Sequence, residues 1–104
     1  MDGMEFISKA LLLTTKKYND VVPLARDEKD YTEDEFYCVW MNKTLQNAKG
    51  LFASTRPDKL YSEVTYNGDK DEFYVDVYRK LDNSKFSGDL VEKTYSEYKE
   101  SEGI

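Results

Sequence analysis

The chain has 104 residues, with 15 basic and 21 acidic side chains, a formal net charge of −6, no histidine and one cysteine. That composition excludes Ser-His-Asp and Cys-His catalysis and leaves histidine-based metal sites without a ligand. With 39% hydrophobic and 14% aromatic residues it is too apolar to stay disordered, and its length suits a single domain, 1–104, around one core.

Residues 3–18 read as a helix. Asp2 stands where a cap belongs, and Glu5 follows at close to capping-box spacing. Met4, Ile7, Leu11 and Tyr18 fall on one face with Ala10 beside them, a stripe that should pack on a sheet. Lys16 and Lys17 suit the last turn. The apolar run Ala10–Leu13 is short and lacks a basic leader, so it reads as neither signal peptide nor membrane span.

Residues 19–34 read as a long irregular connection, interrupted by Asn19-Asp20 and Pro23. A connection this long in a small domain is often functional. Thr32-Glu33-Asp34-Glu35 has the composition of one short helical turn. Asp27, Glu28, Asp30, Glu33, Asp34 and Glu35 crowd together here with Lys29 alone opposing them. Spaced carboxylates can imitate a phosphate backbone and occupy a basic channel. The commoner role of such a run is a solvated, solubilising loop.

Four strands follow, at about 35–41, 49–55, 60–66 and 72–80. The first is apolar on both sides, with Phe36, Cys38 and Trp40 alternating with Tyr37, Val39 and Met41. That pattern fits a central strand, or one whose second face meets a partner. Cys38 and Trp40 are assigned to the core. Arg56-Pro57-Asp58 forms a turn, and Asn67-Gly68 signals a hairpin. A two-residue turn sets Val64 opposite Asp71; a four-residue loop sets it opposite Phe73. Either register points Leu60, Val64, Phe73, Val75 and Val77 inward. It points Tyr61, Glu63, Tyr74, Asp76 and Tyr78 outward.

A polar link from Leu81, anchored by Phe86, leads to a helix over 88–101 capped by Ser87. Its stripe is Val91, Tyr95 and Tyr98, with Leu90 and Thr94. The fold class is α+β: N-terminal helix, four-stranded antiparallel meander, C-terminal helix. The outward tyrosines Tyr61, Tyr74 and Tyr78 are either covered by the last helix or form a surface of rigid aromatic anchors ringed by acids. Cover is favoured, because the helix stripe must pack somewhere.

Motifs for chemistry are missing. Asp69, Asp71 and Glu72 border the Asn67-Gly68 turn, but the loop is shorter than a calcium loop and contains Lys70. Five scattered glycines form no phosphate loop. No cofactor, metal or catalytic residue is expected, and the chain reads as a non-enzyme.

The strings Val39-Trp40-Met41-Asn42-Lys43-Thr44-Leu45-Gln46-Asn47-Ala48-Lys49 and Val64-Thr65-Tyr66-Asn67-Gly68-Asp69-Lys70 carry a resemblance. From about Phe36 to Lys80 the chain resembles a family of small proteins from phages and mobile elements of Gram-positive bacteria. The resemblance implies an origin and, with it, the cytoplasm of a host bacterial cell. In size, charge and context such a protein is similar to anti-CRISPR inhibitors. The expected function is therefore a host-directed inhibitor that binds a basic nucleic-acid-binding protein, specifically a Cas9-type nuclease, at its guide-RNA or DNA channel. Asp27, Glu28, Asp30, Glu33 and Asp34 would meet the basic groove, and Tyr61, Tyr74 and Tyr78 would supply anchoring area. Direct binding to nucleic acid is not expected from the net charge. The alternative is a small nucleic-acid-binding accessory protein using Lys43, Lys49, Arg56 and Lys59, with Trp40 or Phe52 stacking.

Overall fold

A computed structural model describes residues 1–101. Helix α1 (Gly3–Val21) leads through residues 22–32 to a short 3-10 turn (Glu33–Glu35). Strands β1 (Phe36–Thr44), β2 (Asn47–Ser54), β3 (Leu60–Asn67) and β4 (Glu72–Arg79) then form one antiparallel sheet in chain order. Helix α2 (Gly88–Ser101) closes the described chain. This is the α+β architecture expected of the sequence.

The α1 cap is Asp2, whose Oδ1 accepts the Glu5 backbone N–H at 2.8 Å. The helix continues through Asn19-Asp20 to Val21, so Lys16 and Lys17 do not lie in its last turn. Its buried face is Phe6, Ala10, Thr14, Thr15 and Tyr18, a rotation of the expected stripe that leaves Met4 exposed. The rotation follows from size: Phe6 fills more of the space over the sheet than Met4 does.

Helix α1 packs against the inner sheet face and, at its C-terminal end, against the connection that follows it. Phe6 and Ala10 meet Ala48, Phe52 and Val64, with Ile7, Leu11, Cys38, Met41, Phe73 and Val75 around them. A second cluster joins Tyr18, Tyr31 and Phe36. Between the two, Thr14 Oγ1 and Ser62 Oγ share a buried hydrogen bond of 2.8 Å, which satisfies two polar groups inside the interface.

The hairpin register differs from both expected ones. Val64 lies opposite Val75 and Tyr66 opposite Phe73, which leaves residues 68–71 as the loop. Val75 is two residues from Phe73 and four from Asp71, both even steps, so each side chain keeps its expected face. The loop is set by its neighbour: the Gly68 N–H donates to Asn47 Oδ1 at 3.0 Å, against the β1–β2 turn. That turn places Leu45 in the left-handed region, at φ 54°.

Strand β1 is an edge strand, not a central one. A bulge between Cys38 and Trp40 inserts Val39: Cys38 pairs with Phe52, and Trp40 with Leu51. The extra residue inverts the alternation. Phe36, Cys38 and Met41 point inward, while Tyr37, Val39 and Trp40 are exposed. Trp40 is therefore a surface residue rather than a core one.

The C-terminal helix does not cover the sheet. Ser87 caps it as expected, its Oγ accepting from the Leu90 N–H at 3.2 Å. Yet no residue of α2 is buried, and Phe86 is exposed instead of anchoring the link. The radius of gyration is 18.4 Å, against about 13 Å for a compact domain of this length.

A methyl group built on Gly68 would lie 2.1 Å from the Gln46 carbonyl oxygen, a backbone atom held by the neighbouring turn. Gly68→Ala should therefore lower the stability by ~1–3 kcal/mol in urea denaturation. An unchanged midpoint would show that the two turns are not packed together.

Candidate functional surface

The end of the sheet where β1 starts and β2 finishes carries a polar cluster built on Arg56. The turn between β2 and β3 presents this side chain, and its guanidinium lies 4.0 Å from the Tyr31 ring centre. Nε and Nη2 donate to the two carboxylate oxygens of Glu35 at 2.6 and 2.9 Å. Nη1 donates to the Lys29 carbonyl and Nη2 to the Asp30 carbonyl, both at 2.9 Å. One planar cation thus fastens both the acidic connection and the turn that follows it.

Tyr31 is the second fastening. Its N–H donates to Asn19 Oδ1 at 2.8 Å, and its carbonyl accepts from Asn19 Nδ2 at 3.0 Å. Its hydroxyl donates to Asp58 Oδ2 at 2.9 Å. Asp58 also accepts from Ser54 Oγ at 2.7 Å and from the Leu60 N–H at 2.9 Å. The Tyr31 ring meets Tyr18 edge-on at 5.1 Å. Burial, helped by the bond to Asp58, pushes the Tyr31 hydroxyl up to about 12.

The acidic run is thereby shaped rather than loose. Glu28 Oε1 accepts from the Ala25 N–H at 2.7 Å, and Asp34 accepts from the Thr32 hydroxyl. Glu35 reaches back to the Thr32 N–H at 3.0 Å. Asp27, Asp30 and Glu33 are exposed, and their carboxylates have no hydrogen-bond or ion-pair partner among the described residues.

The outer sheet face adjoins this rim, because Tyr37 opens it two residues after Glu35. Tyr61 lies opposite Tyr78, and their rings stack with centres 5.2 Å apart. Tyr74 stands further along β4, and its hydroxyl donates to Glu72. The three expected tyrosines thus share one face. The structure adds Tyr37, Val39 and Trp40, the last of which straight alternation of β1 would have set on the opposite face. Glu63 lies directly opposite Asp76 on the same face, a like-charge pair that Lys49 partly offsets at 3.2 Å from Glu63. Asp76, with Glu63 behind it, raises the Tyr78 hydroxyl above its usual range.

Cys38 and Phe52 lie on the other side of the sheet. Cys38 packs against the inner core, where burial raises its thiol pKa and disfavours the thiolate. Phe52 is buried, so it has no face free for stacking. Among the described residues, no cluster of three His, Cys, Asp or Glu is placed to hold a metal ion. No helix among them is long and apolar enough to cross a membrane.

The chain belongs to a family of unknown function (DUF6275), whose match covers residues 7–88. The match takes in most of α1, the acidic connection and the whole sheet, and it ends where α2 begins. No curated protein and no solved structure matches the chain.

Arg56 holds the Glu35 carboxyl down at about 2, below its ordinary 4.5. A carboxyl lowered in the folded state stabilises above its unfolded value, and that contribution is lost as pH falls through the folded one. Unfolding midpoints should therefore drop between pH 4.5 and about 2, and Glu35→Gln should flatten part of that drop. An identical acid profile for the variant would remove Glu35 as its source.

Proposed function

We propose that the chain is a non-enzymatic binding protein that docks on a basic surface of a host nucleic-acid-binding protein and blocks it. The observation that carries this reading is the uncovered outer face, where aromatic rings alternate with carboxylates beside an acidic rim of fixed shape. Rings and carboxylates together receive arginine and lysine side chains, by cation–π contact and charge-assisted hydrogen bonds. A rim already ordered by Arg56 loses little conformational entropy on docking.

In this reading Asp27, Asp30 and Glu33 meet the partner's cations. Glu28 and Asp34 keep the loop in shape. Tyr61, Tyr74 and Tyr78, with Tyr37 and Trp40, supply the contact area. The target we favour is a Cas9-type nuclease, whose guide and DNA channel is positively charged. The chain would then be an anti-CRISPR protein.

Exposed Trp40 favours one second reading. A groove of about 400 Å³ beside it is lined by Asn42, Asn47, Lys49 and Asn67. A ring, amides and a lysine suit a nucleotide. Against it, Phe52 is buried and Arg56 is committed to Glu35.

The combined change Asp27→Lys, Asp30→Lys and Glu33→Lys leaves every bond that shapes the loop in place. It should abolish both inhibition of a Cas9-type nuclease and binding to it, with the circular dichroism spectrum unchanged. Full inhibition by a folded variant would reject the acidic rim as the site. A low-salt shift of RNA or DNA by the isolated chain would favour the second reading.

A further inference from the structure

The chain carries two unpartnered apolar surfaces, and we propose that they are complementary: α2 of one copy lies on the outer sheet face of a second copy, reciprocally. The first surface is the outer face, with Tyr37, Val39, Trp40, Tyr74 and Tyr78 exposed. The second is the α2 stripe, with Phe86, Leu90, Val91, Tyr95 and Tyr98 exposed. An aromatic side chain carries about 150–250 Å² of surface. The seven aromatics here are 41–66% exposed, which leaves roughly 750 Å² uncovered per chain. Reciprocal docking removes that area twice, about 1,500 Å² in all, which is the size of a stable interface.

One edge of the outer face is basic, and the link leaves the body beside it. A groove of about 470 Å³ on the outer face has Val39, Leu51, Ala53 and Tyr61 on its floor and Lys59 and Lys80 at its edge. Helix α2 brings four acids, Asp89, Glu92, Glu97 and Glu100, against two lysines. Residues 80–87 run without a turn or bend, all exposed. Their one backbone bond to the body is Lys80 N–H to the Lys59 carbonyl, at 2.7 Å. Eight extended residues reach at most about 28 Å. As it stands, the link holds α2 clear of its own sheet, with no residue of the helix buried. Neither core cluster uses a residue of α2, so the body is complete with the arm exchanged.

The partner proposed above would compete with α2 for this face, but the exchange is measured without any partner and does not depend on that reading. Analytical ultracentrifugation of the full chain should give twice the 12.2 kDa chain mass. Dilution should then uncover Trp40, the sole tryptophan, and shift its emission to the red. Leu90→Asp with Tyr95→Asp on the helix, or Val39→Asp on the sheet, should each return the mass to that of one chain. Mixing the two variants should restore a dimer through one intact contact. A full chain that is monomeric at hundreds of micromolar overturns the proposal. So does a dimer that survives both sets of changes. A monomer whose α2 amides are slow to exchange would place the helix on its own sheet and overturn it equally.

Discussion

The guanidinium of Arg56 fixes the part of the molecule that regular structure does not. Helix α1 ends on the inner face and β1 begins at the edge of the sheet, so the chain must travel from one to the other over residues 22–35. Ordering backbone costs about 1–2 kcal/mol per residue. Helical bonds end at Val22 and strand bonds start at Phe36, so other groups have to offset that cost. Arg56 supplies four donations, two to a carboxylate and two to backbone carbonyls, and Tyr31 adds a buried ring and both of its backbone groups. A lysine has neither the planar fork nor the number of fixed donors to replace it.

With that connection fastened, the two faces of the sheet have different fates. The inner face is closed by α1 and by the Tyr18–Tyr31–Phe36 cluster. The outer face has no helix over it, and the Val39 bulge turns Trp40 toward it. An antiparallel sheet can leave one face to water, but that face is ordinarily polar. Here it carries tyrosines, a tryptophan and a valine between carboxylates, which is the composition of an interface core with a charged surround. The outer face thus provides a broad contact surface.

Much of this was legible in the sequence. The Asp2 cap, the Ser87 cap, the four strands and the inward and outward sets of β3 and β4 follow from cap chemistry and period-two alternation. The alternation survived a wrong hairpin register because the error was an even number of residues. What was hidden has a common cause, since each case depends on tertiary contact. The bulge at Val39 leaves no mark in a run that is apolar on both sides. The turn shift depends on Asn47, in another strand. Phe6 displaced Met4 from the helix stripe by fit to the sheet. Arg56, Tyr31 and Asp58 are separated by 25, 27 and 2 residues in pairs, and no local pattern joins them. The acidic run was visible as charge; that part of it is structural and part is free was not.

Arg56 holds the acidic connection in one shape, and amide hydrogen exchange on the Arg56→Lys variant tests this most directly. In the native chain the Tyr31, Thr32 and Glu35 amides have acceptors within the connection or on α1. They should exchange slowly, and in the variant they should exchange at rates near those of an open loop, while Phe52 and Val64 in the core stay protected. Unchanged protection of Tyr31 and Thr32 in the variant would contradict this role, because the connection would then hold its shape without the guanidinium.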